Sequence, residues 1–249
     1  MGLAHSPRIV TDGLVLCLDA ASKRSYPGTG TTWTDLKGGN NGTLTNGPTF
    51  DTGNGGSVVF DGSNDYVAFS SSLSSVSNVT VQGWIKAHSF NRDAILSYAH
   101  PTSRSSWLRF AVRTISGTTG KIAIGGQFGG TSHELTGGST LQQNVYYNVC
   151  FTANGSSWSC FINSEEENLS VLAGSNNGYD FSYYGLSVLT VGNLDRATVG
   201  SIDNFDGNIS NISFKKKIKE QLEMNPNFTT QAWLQLDAKT PAATVVALP

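Results

Sequence analysis

Residues 57–69 read SVVFDGSNDYVAF. Two short apolar runs, SVVF and YVAF, flank the polar knot Asp61-Gly62-Ser63-Asn64-Asp65. Runs of this length bounded by Gly, Asp and Asn read as strands joined by a turn. The knot itself has two readings. It is a turn in which Gly62 supplies the unusual dihedral and the Asp and Asn side chains bond the backbone. Alternatively, Asp61, Asn64 and Asp65 are oxygen ligands of a calcium loop, since calcium takes six to eight oxygens. The turn is the favoured reading, with calcium as the candidate cofactor.

The same grammar repeats outward in both directions. GLVLCLDAA (13–21) puts Leu14, Leu16 and Leu18 on one face. VTVQGWIKA (79–87) alternates, with Val79, Val81 and Ile85 opposed to Thr80, Gln82 and Trp84. AILSYA, WLRFAVRT, KIAIGGQF, LSVLTVGN and GNISNISF are further runs of strand length, and YYNVCFT-ANGSS-WSCFIN (146–163) reads as a hairpin over an Asn-Gly turn. IKEQLEMN (218–225) before Pro226 is the one helix expected. Period-two apolar segments between closely spaced turns predict an all-β antiparallel sandwich or barrel with one short C-terminal helix. The expected organisation is an N-terminal arm (1–12), one β domain (13–235), and an extended tail (236–249).

Composition narrows function. The chain has 249 residues, 14% of them charged, 28 glycines and a formal net charge of −2. That balance gives no electrostatic footprint for nucleic acid or an anionic membrane. No run approaches the length of a membrane span. The start, MGLAHSPRIVTDG, lacks the basic and apolar regions of a signal peptide, so synthesis in a cytoplasm is expected. Cys17, Cys150 and Cys160 show no disulfide spacing. Buried free thiols are expected, with a Cys150–Cys160 bridge as the alternative.

Several segments, in order, resemble one family. GLVLCLDAA, SVVFDGSNDYVAF, VTVQGWIKA with its Thr80 and Trp84, VYYNVCFTANGSSWSCFIN and FDGNISNISFKKKIKEQLEMNPNF look like the laminin-G-like jelly rolls of the concanavalin A-like lectin/glucanase superfamily. The first sixty residues look most like the subset found in tailed-phage structural proteins. Their carriers are 13–21, Tyr26-Pro27-Gly28, 32–38 and 41–50. The chain departs from the pattern at Lys216-Lys217-Ile218, where Asn-Arg-Ala-Leu is usual, and at Ser164, where Gly is usual.

The resemblance implies a virion protein: a fibre, a head or neck decoration, or a tail adhesin. It would lie on the virion surface and form a homo-oligomer. Its terminal arms would meet other virion proteins, and host-surface polysaccharide is the second expected partner. The alternative is a soluble carbohydrate-binding lectin. An enzyme is not expected. Glycosidases of the superfamily carry a Glu-x-Asp-x-x-Glu pattern, which this sequence lacks; Glu165-Glu166-Glu167 follows a strand, in a loop. The candidate carbohydrate-binding residues are Trp107, Arg109 and Arg113, on the outward face of WLRFAVRT. Aromatic rings stack on sugars, and Arg offers forked donors to hydroxyls and carboxylates.

Overall fold

The computed structural model describes residues 11–70, 78–114, 120–178, 185–196 and 200–216. The expected helix (218–225), the tail (236–249) and residues 1–10 of the arm lie outside them. The first strands are β1 (Leu14–Asp19), β2 (Thr32–Trp33), β3 (Gly42–Thr45), β4 (Thr49–Asp51), β5 (Ser57–Asp61) and β6 (Tyr66–Phe69). Then come β7 (Val79–Ala87), β8 (Asn91–Ala99), β9 (Trp107–Thr114), β10 (Gly120–Phe128) and β11 (Thr131–Thr136). The remainder are β12 (Tyr146–Ala153), β13 (Trp158–Ile162), β14 (Glu165–Glu166), β15 (Ser170–Ala173), β16 (Val188–Val191), β17 (Leu194–Arg196), β18 (Gly200–Ile202) and β19 (Asp206–Lys216).

These strands form an antiparallel sandwich of two sheets, one of the two architectures that the alternation predicts. One sheet has eight strands in the order β14-β13-β12-β7-β19-β5-β4, with β1 also on β19. The other has nine, in the order β15-β11-β10-β9-β8-β16-β6-β3-β2. β17 and β18 pair with each other as a small hairpin.

The knot at 61–65 is a turn, but not one between paired strands. β5 belongs to the eight-stranded sheet and β6 to the nine-stranded sheet. The knot is the corner where the chain crosses the sandwich. The 146–163 segment is the hairpin expected: Cys150 faces Phe161 and Phe151 faces Cys160 across the ladder. Asn154 Oδ1 accepts the backbone N–H groups of Ser156 and Ser157, which closes its turn.

Alternation fills the interior from both sides. Val81 and Ile85 on β7, Phe110 and Val112 on β9, and Phe151 on β12 are each at most 1% exposed. Phe110 and Phe151, one from each sheet, stack with centroids 4.6 Å apart. Cys150 and Cys160 sit on adjacent strands, with Cys160 buried and Cys150 partly exposed, and the three cysteines are free. Burial pushes the Cys17 thiol up to about 11 and the Cys150 thiol up to about 12.

Candidate functional site

Sequence parity puts Trp107, Arg109 and Arg113 on the outer face of β9, and the structure keeps them together there. It does not leave them open. Ala94 and Ala99 on β8 are small enough for Leu194 of the β17–β18 hairpin to pack on them, with Trp107 and Val188 alongside. Arg109 is 4% exposed. Its guanidinium pairs with Asp203, just after the hairpin, and with Glu134 on β11 at 3.2 Å. Arg113 pairs with the same Glu134 oxygen. Arg109 also lies over the Trp107 ring, 5.3 Å from its centroid. Trp107 Nε1 donates to Gln127 at 3.3 Å. The donors expected to meet a ligand are thus held by carboxylates of the chain itself.

A buried carboxylate lies on β8, within reach of the Asp203 charge. Asp93, 1% exposed, accepts from the Asn91 N–H at 3.2 Å and the Ser89 hydroxyl at 3.5 Å. Burial pushes its pKa up to about 7, against the Asn91 hydrogen bond and with the charges of Asp206 and Asp203 adding to the rise. Asp206 itself meets His88 Nδ1 at 3.3 Å.

The Asp61, Asn64 and Asp65 knot is organised by its own backbone. Asp61 Oδ1 accepts from the N–H groups of Ser63, Asn64 and Asp65, and Asp65 Oδ2 accepts from the Asp61 N–H. The Ser63 hydrogen bond leads in holding the Asp61 carboxyl below its usual range. Burial raises that of Asp65, and the Asp61 charge adds to the rise. Among the described residues no group of three or more His, Cys, Asp or Glu side chains is placed to hold a metal ion.

The opposite sheet presents a different face. On β7, Thr80, Gln82, Trp84 and Lys86 point outward, and Trp84 is 37% exposed. Register sets Asn148 of β12 on one side of Trp84 and Asn211 of β19 on the other. Gln82 Nε2 donates to Asn148 Oδ1 at 2.8 Å. The pairing of β19 with β7 shifts between Ile209 and Asn211, a bulge, and the Trp84 N–H donates to Asn211 Oδ1 at 3.0 Å. Gly83 permits this approach, since a Cβ there would stand 2.6 Å from the Asn211 carbonyl oxygen. The Lys86 ammonium lies over the Tyr146 ring at 5.1 Å. The alternation in 79–87 sets Trp84 outward with Gln82, but Trp84 is not among the residues that the sequence marks for binding. The alternation in 79–87 was the available signal; the flanking amides are 64 and 127 residues away.

Residues 61–218 match the family model of the concanavalin A-like lectin/glucanases superfamily, of the laminin-G type. The chain belongs to this family. No curated protein sequence matches it. Among solved structures, this laminin-G-type jelly roll is similar to domain 4 of AbnA, an extracellular arabinanase from Geobacillus stearothermophilus in complex with arabinotriose. The TM-score is 0.61 at 13% identity, covering 82% of this chain and 92% of that one. A Trypanosoma rangeli sialidase matches with TM-score 0.55 at 9% identity, over 82% of this chain and 30% of that one. The carbohydrate-binding module (CBM40) of the Ruminococcus gnavus IT-sialidase, bound to α2,3-sialyllactose, gives 0.48 at 15% identity, over 57% and 78%. At these identities the likeness is one of fold.

Within this family member the acidic run is split rather than paired. Glu165 and Glu166 are exposed on β14, whereas Glu167 is 8% exposed and its Oε2 accepts from the Ser139 N–H at 2.8 Å. Glu166 and Glu167 line an open polar groove with Gly138, Ser139 and Asn168. One of these carboxylates thus braces the 137–139 loop, and the two before it face solvent. Ser164, the departure from Gly, takes φ 74 beside Asn163 at φ 51. It keeps the left-handed turn between β13 and β14 without the residue best suited to it.

Proposed function

We propose that the chain is a non-catalytic, carbohydrate-binding jelly roll carried on the surface of a tailed-phage particle, as a fibre or a head or neck decoration. The observation that carries the carbohydrate-binding part is membership of a lectin/glucanase superfamily. The absence of the Glu-x-Asp-x-x-Glu pattern from the sequence supports a binding role over hydrolysis. The virion part is supported by the phage-like pieces within the first sixty residues. In this reading the terminal segments hold the chain to other virion proteins, copies of the chain associate, and the jelly roll meets polysaccharide of the host surface.

Immunogold electron microscopy of purified particles, with antibody to the recombinant chain, tests the virion part. Label on heads, necks or tails is the expected result. Chain found free in the lysate beside unlabelled particles would replace it with a soluble lectin. Release of reducing sugar from host polysaccharide by the purified chain would overturn the non-catalytic part.

A further inference from the structure

The two outer faces of the sandwich are not equivalent. Around Trp107 the arginines are neutralised and the hairpin packs down. Around Trp84 the polar groups are held in place but not fully used. The hydrogen bonds from Gln82 to Asn148 and from the Trp84 N–H to Asn211 engage the oxygen end of each asparagine. Their Nδ2 groups meet no protein acceptor among the described residues. Asn148 is only 8% exposed. Its Nδ2 is not among the fully buried unsatisfied atoms, so the side chain is held in place while that donor stays open to an acceptor from outside the chain.

We propose that the outer face of the eight-stranded sheet, centred on Trp84, is a docking site for a polysaccharide of uncharged pyranose units. The proposal rests on the carbohydrate-binding reading above and adds where the sugar sits and of what class it is. The apolar C–H face of a pyranose stacks on an indole. Its hydroxyls accept from Asn148 and Asn211 Nδ2 and donate to Gln82 Oε1. Both asparagines are braced before any ligand arrives, so little side-chain freedom is lost on binding. The class follows from charge. Trp84 is flanked across the ladder by amides, Gln82 precedes it on the same face, and the Lys86 ammonium is held over Tyr146. Among the described residues no carboxylate stands next to the indole in its own row or on its own strand face, and the Lys86 ammonium two residues along that face is engaged by the Tyr146 ring.

The test is affinity electrophoresis of the full chain in gels containing laminarin, xylan or arabinan as neutral probes and alginate as the acidic one. Wild type, Trp84→Ala, Trp84→Phe and Trp107→Ala are compared, with circular dichroism and size-exclusion chromatography on each. At least one neutral polysaccharide retards the wild type. Trp84→Ala weakens that interaction at least about tenfold, as loss of an aromatic stacking partner does, and Trp84→Phe weakens it less. Trp107→Ala is retarded like wild type.

Equal retardation of a folded Trp84→Ala overturns the site while leaving the carbohydrate-binding reading intact. Loss in Trp107→Ala alone moves the site to the other sheet and overturns the proposal. Retardation by alginate alone overturns the ligand class. A Trp84→Ala chain that changes oligomeric state but not retardation makes this face a self-association surface instead. A wild type retarded by none of the probes overturns the binding reading itself, and the site with it.

Discussion

Replacing Asp93 by Asn should make the protein more stable at alkaline pH and change little in acid. Asp93 is 1% exposed, with Asp203 and Asp206 nearby, and burial raises its folded pKa from the usual 3.8 to about 7. In the unfolded chain it titrates near the usual value. Between those two pH values the folded state holds a proton that the unfolded state has released, so stability falls as pH rises through the window and levels off above about pH 7. The gap at 1.36 kcal/mol per pH unit sets an upper magnitude on the order of 4 kcal/mol. Asn cannot ionise. Its Oδ1 keeps the acceptor role toward the Asn91 N–H, and the Ser89 hydroxyl oxygen can accept from its Nδ2. Urea unfolding followed by tryptophan fluorescence at pH 4.5, 6 and 8, at fixed ionic strength, measures the difference between variant and wild type. The other titrating groups are common to both chains, so that difference isolates Asp93. The expected gain in the variant is roughly 2–4 kcal/mol at pH 8, shrinking to less than about 1 kcal/mol at pH 4.5. A gain independent of pH, or a variant less stable than wild type at pH 8, would refute the reasoning.

Arg109→Met leaves Asp203 and Glu134 under the hairpin without their shared cation; with Arg109 and Asp203 side chains only 5% and 13% exposed, a loss of about 3 kcal/mol in urea unfolding is expected. A loss under about 1 kcal/mol would mean the pairs are screened like surface bridges. Ser164→Gly relieves the left-handed backbone at φ 74 and should gain about 0.5–1 kcal/mol, a rise of a few degrees in Tm; an unchanged or lower Tm would contradict it. Gly83→Ala drives a Cβ to 2.6 Å from the Asn211 carbonyl oxygen, so a loss of about 1–3 kcal/mol is expected in the same assay. The native thiols, with Cys17 pushed up to about 11 and Cys150 to about 12, should resist Ellman's reagent at pH 8, and all three should react in urea.

The local part of this fold is written in short-range patterns. In 79–87 and 149–153 every second residue is buried, because a sandwich strand has one face in the core and one in solvent. Asn154-Gly155 announces its own turn. Which sheet a strand joins is a different kind of information. SVVF and YVAF are five residues apart and alike in composition, yet they lie in opposite sheets. A corner across the sandwich uses the same Asp, Gly and Asn chemistry as a hairpin turn, so the knot reads the same either way. The edge strands β2 and β14, two residues each, are too short to show any period.

The fate of Trp107 is set by a segment that reads as something simpler. LSVLTVGN looks like one strand running to Asn193. In the structure β16 stops at Val191, Gly192 takes φ 88, and the chain turns back to place Leu194 over Ala94 and Ala99. A Cβ at Gly192 would lie 2.5 Å from the Phe60 ring, so the turn is packed against the core and cannot slide. That one reversal brings Asp203 onto Arg109 and closes the outward face of β9. Parity says which way a side chain leaves its own sheet. It carries no information on whether a later segment returns to cover it, because that depends on pairings 94 residues apart. The same limit hid the opposite face. Trp84 gains its amide neighbours only through the registers of β12 and β19, and the bulge between Ile209 and Asn211 puts the Asn211 oxygen where the Trp84 N–H needs an acceptor. A covered arginine face and an open tryptophan face are thus two consequences of long-range register.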